Sequence, residues 1–346
     1  MAKRPELKFA TFNIYNLQLP GLPMYHGNTY TQAAYDKKIA WTGNVLKRID
    51  ADIIGFQELW HPDALKDAFD EAGLLSDYTL VSKLVPNSIA TAMAVKKIHT
   101  VKSKTWIKDF PKELVLKKRK SSGSSGVPDY KMSVAMDYFS RSVLRVKIKP
   151  KQGSKNAPEM TVYVAHLKSK LPMRLDKEES KKPTVKAQSG AIGAALSSIR
   201  RIAEAAALRV MVNKETKNNN RPVVVMGDLN DTEHSVSNTI ITADPSYRLQ
   251  ASSTRGSKSD VGLYSSSSLQ EYRSLRDVTY THLFNGRHEI LDHILVSEQF
   301  YDYSKQRRWS FKEMRVYNDF VEDKKDRSSS DHGVVTSTFV FHPFKK

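Results

Sequence analysis

Six hydrophobic runs in this chain end in, or lead straight into, a short polar cluster. The clusters are Phe12-Asn13-Ile14, Gln57-Glu58, His166 in VAHLKSK, Gly227-Asp228-Leu229-Asn230, Asp292 in ILDHILV and Ser330-Asp331-His332. Runs such as ADIIGFQEL, MTVYVAHLKS and RPVVVMGDLN are too short for helices and too uniformly apolar for one-sided strands. They read as strands buried on both faces. A fold that buries so many strands must layer them, and it then presents their polar ends as a group. Those ends carry carboxylates, amides and imidazoles, the side chains needed to hold a hard divalent cation and hydrolyse a phosphate ester.

Between the strands, the helical signals are few. Tyr35 to Arg48 has helical periodicity, with Ile39, Val45 and Leu46 facing a core. His61-Pro62-Asp63 reads as a helix start, and Gln188 to Val212 is the longest helical stretch. Buried strands mixed with alternating ones predict an α/β fold with two packed mixed sheets flanked by helices. No linker divides the 346 residues, so one domain over 1–346 is expected. Two surface loops are expected within it, a mobile basic one over 117–133 and a serine-rich one over 252–268.

Composition narrows the class. No run approaches the length of a transmembrane helix, so no membrane partner is expected. Without cysteine there are no disulfides or thiolate metal sites. No apolar leader precedes the first strand, so the expectation is a cytoplasmic monomer, or a secreted one if a leader was removed. The net charge is +18, from 55 basic and 37 acidic residues, and Lys96 to Lys120 alone holds ten basic residues against two acidic ones. A solvated loop could carry such a run. The excess over the whole chain favours a polyanionic partner, DNA first and RNA second.

The polar clusters differ in how much each says alone. Glu58 follows the buried run IIGFQ, where an unpaired carboxylate would be costly. Asn13, taken singly, would be a turn former. Asp228 and Asn230 are two apart, so an extended chain places both on one side, with Leu229 pointing into the core. Gly227 permits a close approach of backbone or substrate. Asp292 and His293 lie within one strand and face opposite ways, so only one of them can reach a shared site.

The order and wording of these motifs, from about Lys8 to Phe341, resemble the endonuclease/exonuclease/phosphatase superfamily of deoxyribonuclease-like enzymes. The resemblance implies a β-sandwich flanked by helices, with the site at one end. It implies that Glu58, with Asn13 and Asp331, serves a divalent metal, magnesium or manganese. Asp228 would orient or activate the attacking water, or stabilise the leaving group. His332, fixed by Asp292, would bond the scissile phosphate or act as general base. His166 would bind phosphate or act as general acid, and Asn230 and Arg141 would contact phosphate. Selecting Asp292 leaves His293 a structural residue on the other face.

Two departures stand out. Tyr15 occupies a place where some branches carry an acidic residue, and PNSIATAMAV offers His166 no tyrosine or glutamate, leaving only Asn87 nearby. The segment YTHLFNGRHEILDHILVS is most similar to bacterial or phage nucleases of the superfamily. With the basic charge, this gives a metal-dependent nuclease hydrolysing DNA phosphodiester bonds with little sequence specificity. Lys117, Lys118, Arg119 and Lys120 are expected to hold the backbone. A phosphatase or phospholipid phosphodiesterase using the same site, and a non-enzymatic nucleic-acid binder, are the alternatives.

Overall fold

The computed structural model describes residues 5–118, 132–151, 157–247, 260–272, 280–284, 287–321 and 327–342. Among them, two six-stranded sheets pack face to face. One contains β1 (Glu6–Leu17), β2 (Ile53–Leu59), β3 (Tyr78–Val81), β4 (Ala90–Lys96), β15 (Trp309–Tyr317) and β16 (Val334–Phe341), in the order β15-β16-β1-β2-β4-β3. The other contains β5 (Thr100–Asp109), β8 (Tyr138–Lys149), β9 (Met160–His166), β10 (Val223–Asp228), β11 (Tyr264–Ser265) and β14 (Asp292–Val296), in the order β11-β14-β10-β9-β8-β5. Two small ribbons pair β6 (Lys117–Lys118) with β7 (Met132–Ser133), and β12 (His282–Phe284) with β13 (Arg287–Glu289).

The apolar side chains divide into three cores, which makes the layers helix, sheet, sheet, helix. Leu7, Phe9, Ile53 and Met93 of the first sheet meet Val162, Val164, Val224 and Met226 of the second across the seam. Ala10, Phe12, Ile54 and Phe56 point the other way, under α1 (Gln32–Ile49) and α2 (Pro62–Glu71). Val223, Val225 and Tyr163 back onto α4 (Ser189–Thr216), which follows the short α3 (Pro183–Ala187) and precedes α5 (Val236–Thr242). Alternating residues of β1 and β10 therefore fill two different cores, which is why these runs are apolar without a break.

Local chemistry sets the helix starts. The Thr31 side chain accepts from Ala34 N at the head of α1. His61 Nδ1 accepts from Asp63 N before α2, with Pro62 in the first turn.

The parallel pairs β1–β2 and β9–β10 end at the same edge of the sandwich. There the antiparallel β14 begins, with Asp292 opposite Asp228. The loop carrying Asp331 and His332 reaches the same edge just before β16. Gly227, with φ 146°, is needed at this point, because a Cβ there would lie 1.9 Å from the carbonyl oxygen of Ala165 on the neighbouring strand.

The serine-rich stretch differs from the surface loop expected over 252–268. Residues 252–259 lie outside the described residues, but Tyr264–Ser265 form β11 and Ser266–Glu271 form α6, with Ser265, Ser266, Ser267 and Ser268 buried. The Glu233 carboxylate accepts from Ser268 N and Oγ, satisfying polar groups that would otherwise have kept the segment in water. Of the basic loop, Lys117 and Lys118 form β6, and Arg119 and Lys120 lie outside the described residues.

Candidate active site

Glu58 sits where β2 stops pairing regularly. The register shifts on both sides of it, between Asn13 and Leu17 of β1 and between Phe56 and Leu59 against β4. Glu58 itself has φ 65°, and Tyr15 and Asn16 beside it have φ 48° and 56°. Left-handed backbone at a non-glycine residue costs on the order of 1–3 kcal/mol, so its surroundings must over-determine it. They do: Asn16 N donates to Glu58 Oε2 at 3.1 Å, and Trp60 Nε1 donates to Asn16 Oδ1 at 2.9 Å. Burial and the nearby Asp331 carboxylate raise the pKa of Glu58, against the pull of His332, Arg141 and the Asn13 amide.

Asn13 joins the two sheets. Its Nδ2 donates to Glu58 Oε1 at 3.4 Å and to Asp228 Oδ2 at 3.1 Å, while its Oδ1 accepts from Tyr15 N at 3.0 Å. The amide therefore turns its nitrogen toward the carboxylates. This orientation makes Asn13 a clamp on two acids rather than an oxygen ligand pointing between them.

Asp228 is 1% exposed and the site converges on it. Its Oδ2 lies 3.4 Å from His166 Nε2 and 3.8 Å from His332 Nε2, and its Oδ1 accepts from Asn230 N at 2.9 Å. Burial pushes the carboxyl up to about 7; His332 opposes the shift and the Asp292 and Glu58 charges add to it. Asn230, at φ 54°, donates through Nδ2 to Leu167 O, the same carbonyl that accepts from Arg141 Nη1, both at 3.0 Å. His166 has its pKa held well below 6.5 by burial and by the charges of Arg141, His332 and Lys168. A ring kept neutral suits phosphate binding through N–H better than proton donation as an imidazolium.

His332 Nδ1 and Asp292 Oδ2 are 2.7 Å apart, both buried. Burial alone would lower the pKa of this histidine; the Asp292 and Asp228 charges and the Asp292 hydrogen bond outweigh it and hold it well above 6.5. The loop is fixed by Ser330, whose Oγ donates to Asn13 O at 2.6 Å and accepts from His332 N at 3.0 Å. Thr281 fixes the partner: its Oγ1 accepts from Leu291 N at 2.9 Å and Asp292 N at 3.3 Å.

His293 faces the other way, with Nε2 2.9 Å from Asp231 O and 3.2 Å from Asn238 Nδ2. Asn87 is exposed in the turn before β4.

The edge thus brings together Asn13, Glu58, His166, Asp228, Asn230, Asp292, Asp331 and His332, with Arg141 at its rim. Sequence reasoning missed Ser330's clamp, Thr281 and Glu204. The last is a fully buried glutamate of α4 that accepts from Ser140 N and Lys168 N, both at 2.7 Å, tying down the strands that carry Arg141 and His166. Its one signal was a carboxylate within the apolar run RIAEAAALRV.

The donor set fits a divalent cation. Buried carboxylates crowd one another, and Asp292 Oδ1 is buried without a hydrogen-bond partner among the described residues. Asp228, Asp292 and His332 present ligand atoms within 4.8 Å of one another, as do His282, Asp331 and His332. Glu58 stands outside both sets, one amide away from Asp228.

The sequence matches the Endonuclease/Exonuclease/phosphatase family over residues 10–332, and the chain belongs to that family, whose members are hydrolases of phosphoester bonds that depend on divalent metals. None of the curated protein sequences compared with it matches. Among solved structures, it is similar to an endonuclease/exonuclease/phosphatase family protein from Bacteroides thetaiotaomicron (TM-score 0.55, 16% identity, covering 98% of this chain and 99% of that one). It is also similar to truncated Caenorhabditis elegans TDP2 (0.53, 15%, 97% and 98%) and to a mannosyl-6-phosphatase from Bacteroides thetaiotaomicron VPI-5482 (0.54, 16%, 97% and 100%). At these identities the likeness is one of fold.

Proposed function

We propose that this hydrolase cleaves phosphodiester bonds of DNA, with magnesium or manganese as its metal and little sequence preference. The observation that carries the reading is the Asn13 amide bridging Glu58 and Asp228, which sets a metal-binding carboxylate and a proton-accepting carboxylate side by side. Water attacks phosphorus in line, its proton passes toward Asp228 Oδ2, and the bond to the leaving oxygen breaks as that oxygen takes a proton from solvent. His332, oriented by Asp292, directs Nε2 at the reacting centre; His166, Asn230 and Arg141 grip the non-bridging oxygens. Glu58 and Asp331 would hold a divalent cation, which would supply Lewis acidity to the phosphate when bound. The excess of 18 positive charges supports a polyanion over a small neutral-bodied ester.

The test is a panel of plasmid, single-stranded DNA, RNA, sphingomyelin and a sugar monophosphate, assayed in magnesium and in chelator. DNA cleavage that is abolished by chelator and restored by magnesium or manganese is expected. Faster turnover of the monophosphate or the lipid would replace the DNA reading, and activity surviving exhaustive metal removal would overturn the mechanism.

A further inference from the structure

We propose that His282, with Asp331 and His332, forms a second cation site that takes a transition metal such as zinc or cobalt and inhibits the magnesium-supported reaction. It rests on the metal-dependent reading above. Three ligand atoms from these residues lie within 4.8 Å of one another, a spread that one ion can span. The backbone holds them there: His282 and His332 pair as an antiparallel bridge, and Gly333 N donates to Thr281 O at 2.6 Å. The two imidazole rings lie 4.9 Å apart, tilted by 40°.

The chemistry separates this set from the one at Glu58. Two imidazoles and one carboxylate favour zinc, cobalt or manganese over magnesium, whereas Glu58 offers oxygen alone. Asp292 on His332 Nδ1 leaves Nε2 as that ring's only ligand atom, and such a carboxylate–histidine pair is the usual support of a metal-binding imidazole. The charge also permits it. Glu58, Asp228, Asp292 and Asp331 outnumber His332 and Arg141 at this edge, so the local charge favours uptake of a divalent ion.

Inhibition follows from arithmetic on nitrogens. A metal on His332 Nε2 removes the group that would otherwise meet the phosphate. His282 makes no contribution to the proposed hydrolysis, so its loss should spare the reaction from the inhibitor.

The test titrates cobalt into wild type and His282→Gln in saturating magnesium, following the visible cobalt absorption, with folding of each checked by circular dichroism. Wild type should take up one nitrogen-ligated cobalt, and the variant should bind it roughly 10- to 100-fold more weakly. In parallel, zinc inhibition of DNA cleavage, normalised to each protein's zinc-free rate, should require at least tenfold more zinc in the variant. Equal cobalt affinity and equal spectra in the two proteins would overturn the site. Should His282→Gln not fold, nitrogen couplings in the spin-resonance spectrum of copper(II) bound to wild type in saturating magnesium decide it: two imidazoles are required, and one or none refutes it. The binding arms need no turnover, so they read out separately from any failure of the nuclease assignment.

Discussion

Asn13 shows how a residue can be legible in place and opaque in action. Its position at a strand end is visible in LKFATFNI, yet its two acceptors lie 45 and 215 residues along the chain. No local pattern could pair them. Glu58 was legible as an expensive carboxylate, but its left-handed backbone was not, because glutamate does not advertise positive φ. That strain gives a sharp expectation. Glu58→Ala and Glu58→Gly should both lose turnover by several orders of magnitude, while the glycine variant should be the more stable of the two by about 1 kcal/mol, since it relieves the backbone. Equal melting temperatures would show that the surroundings carry no strain. Asp228→Ala and His332→Ala should cost similar orders of magnitude, with double variants far from additive. His293→Ala should leave turnover largely intact but destabilise by about 1–3 kcal/mol, because it strips partners from buried polar groups. A loss of rate matching that of His332→Ala would place His293 in the site after all.

At the scale of elements, central strands were readable and edge strands were not. β9 and β10 are apolar throughout because sheet neighbours and both faces enclose them. β5 reads TVKSKTWIKD, half lysine and threonine, because it closes a sheet edge where charges deter further pairing. β15, the edge of the other sheet, has a similar mixture in WSFKEMRVY. The turn after β14 holds a titratable element of its own. Glu298 is 4% exposed, and burial raises its pKa from an ordinary 4.5 to about 7, partly offset by the Ser304 hydroxyl at 2.8 Å. A carboxyl whose folded pKa is raised binds its proton more tightly when folded, so the stability it lends is full below pH 4.5 and is lost as pH rises through about 7. Glu298→Gln, neutral at every pH, should match wild type near pH 4.5 and exceed it at pH 8 by as much as about 3 kcal/mol in urea denaturation. Parallel stability curves across that window would show Glu298 ionised without penalty.

For the whole molecule, periodicity alone predicted layers, and the family resemblance supplied the sandwich and the shared edge. What neither could supply was which loops are drawn into the layers: the serine-rich stretch reads as solvent-facing until Glu233 is seen to satisfy it and β11 to pair with β14. The charge of +18 makes a bulk prediction. Replacing Lys117, Lys118, Arg119 and Lys120 with serine should weaken DNA binding and flatten its log–log salt dependence, by roughly 0.9 for each duplex phosphate that is no longer neutralised. Cleavage at saturating DNA should persist. An unaltered salt slope would remove this segment from the binding surface.

The pairing of β1 with β16 has a consequence in the cell's own time. Glu6 aligns with Val340 and Thr11 with Val335, so the first strand made waits for the last to gain its antiparallel neighbour. His332 and Ser330 also come late, and Ser330 reaches back to Asn13 to set the loop. A ribosome must therefore translate nearly all of this sequence before the site can be complete, and a chain stalled or truncated ahead of Ser330 lacks His332 however well its earlier strands have folded.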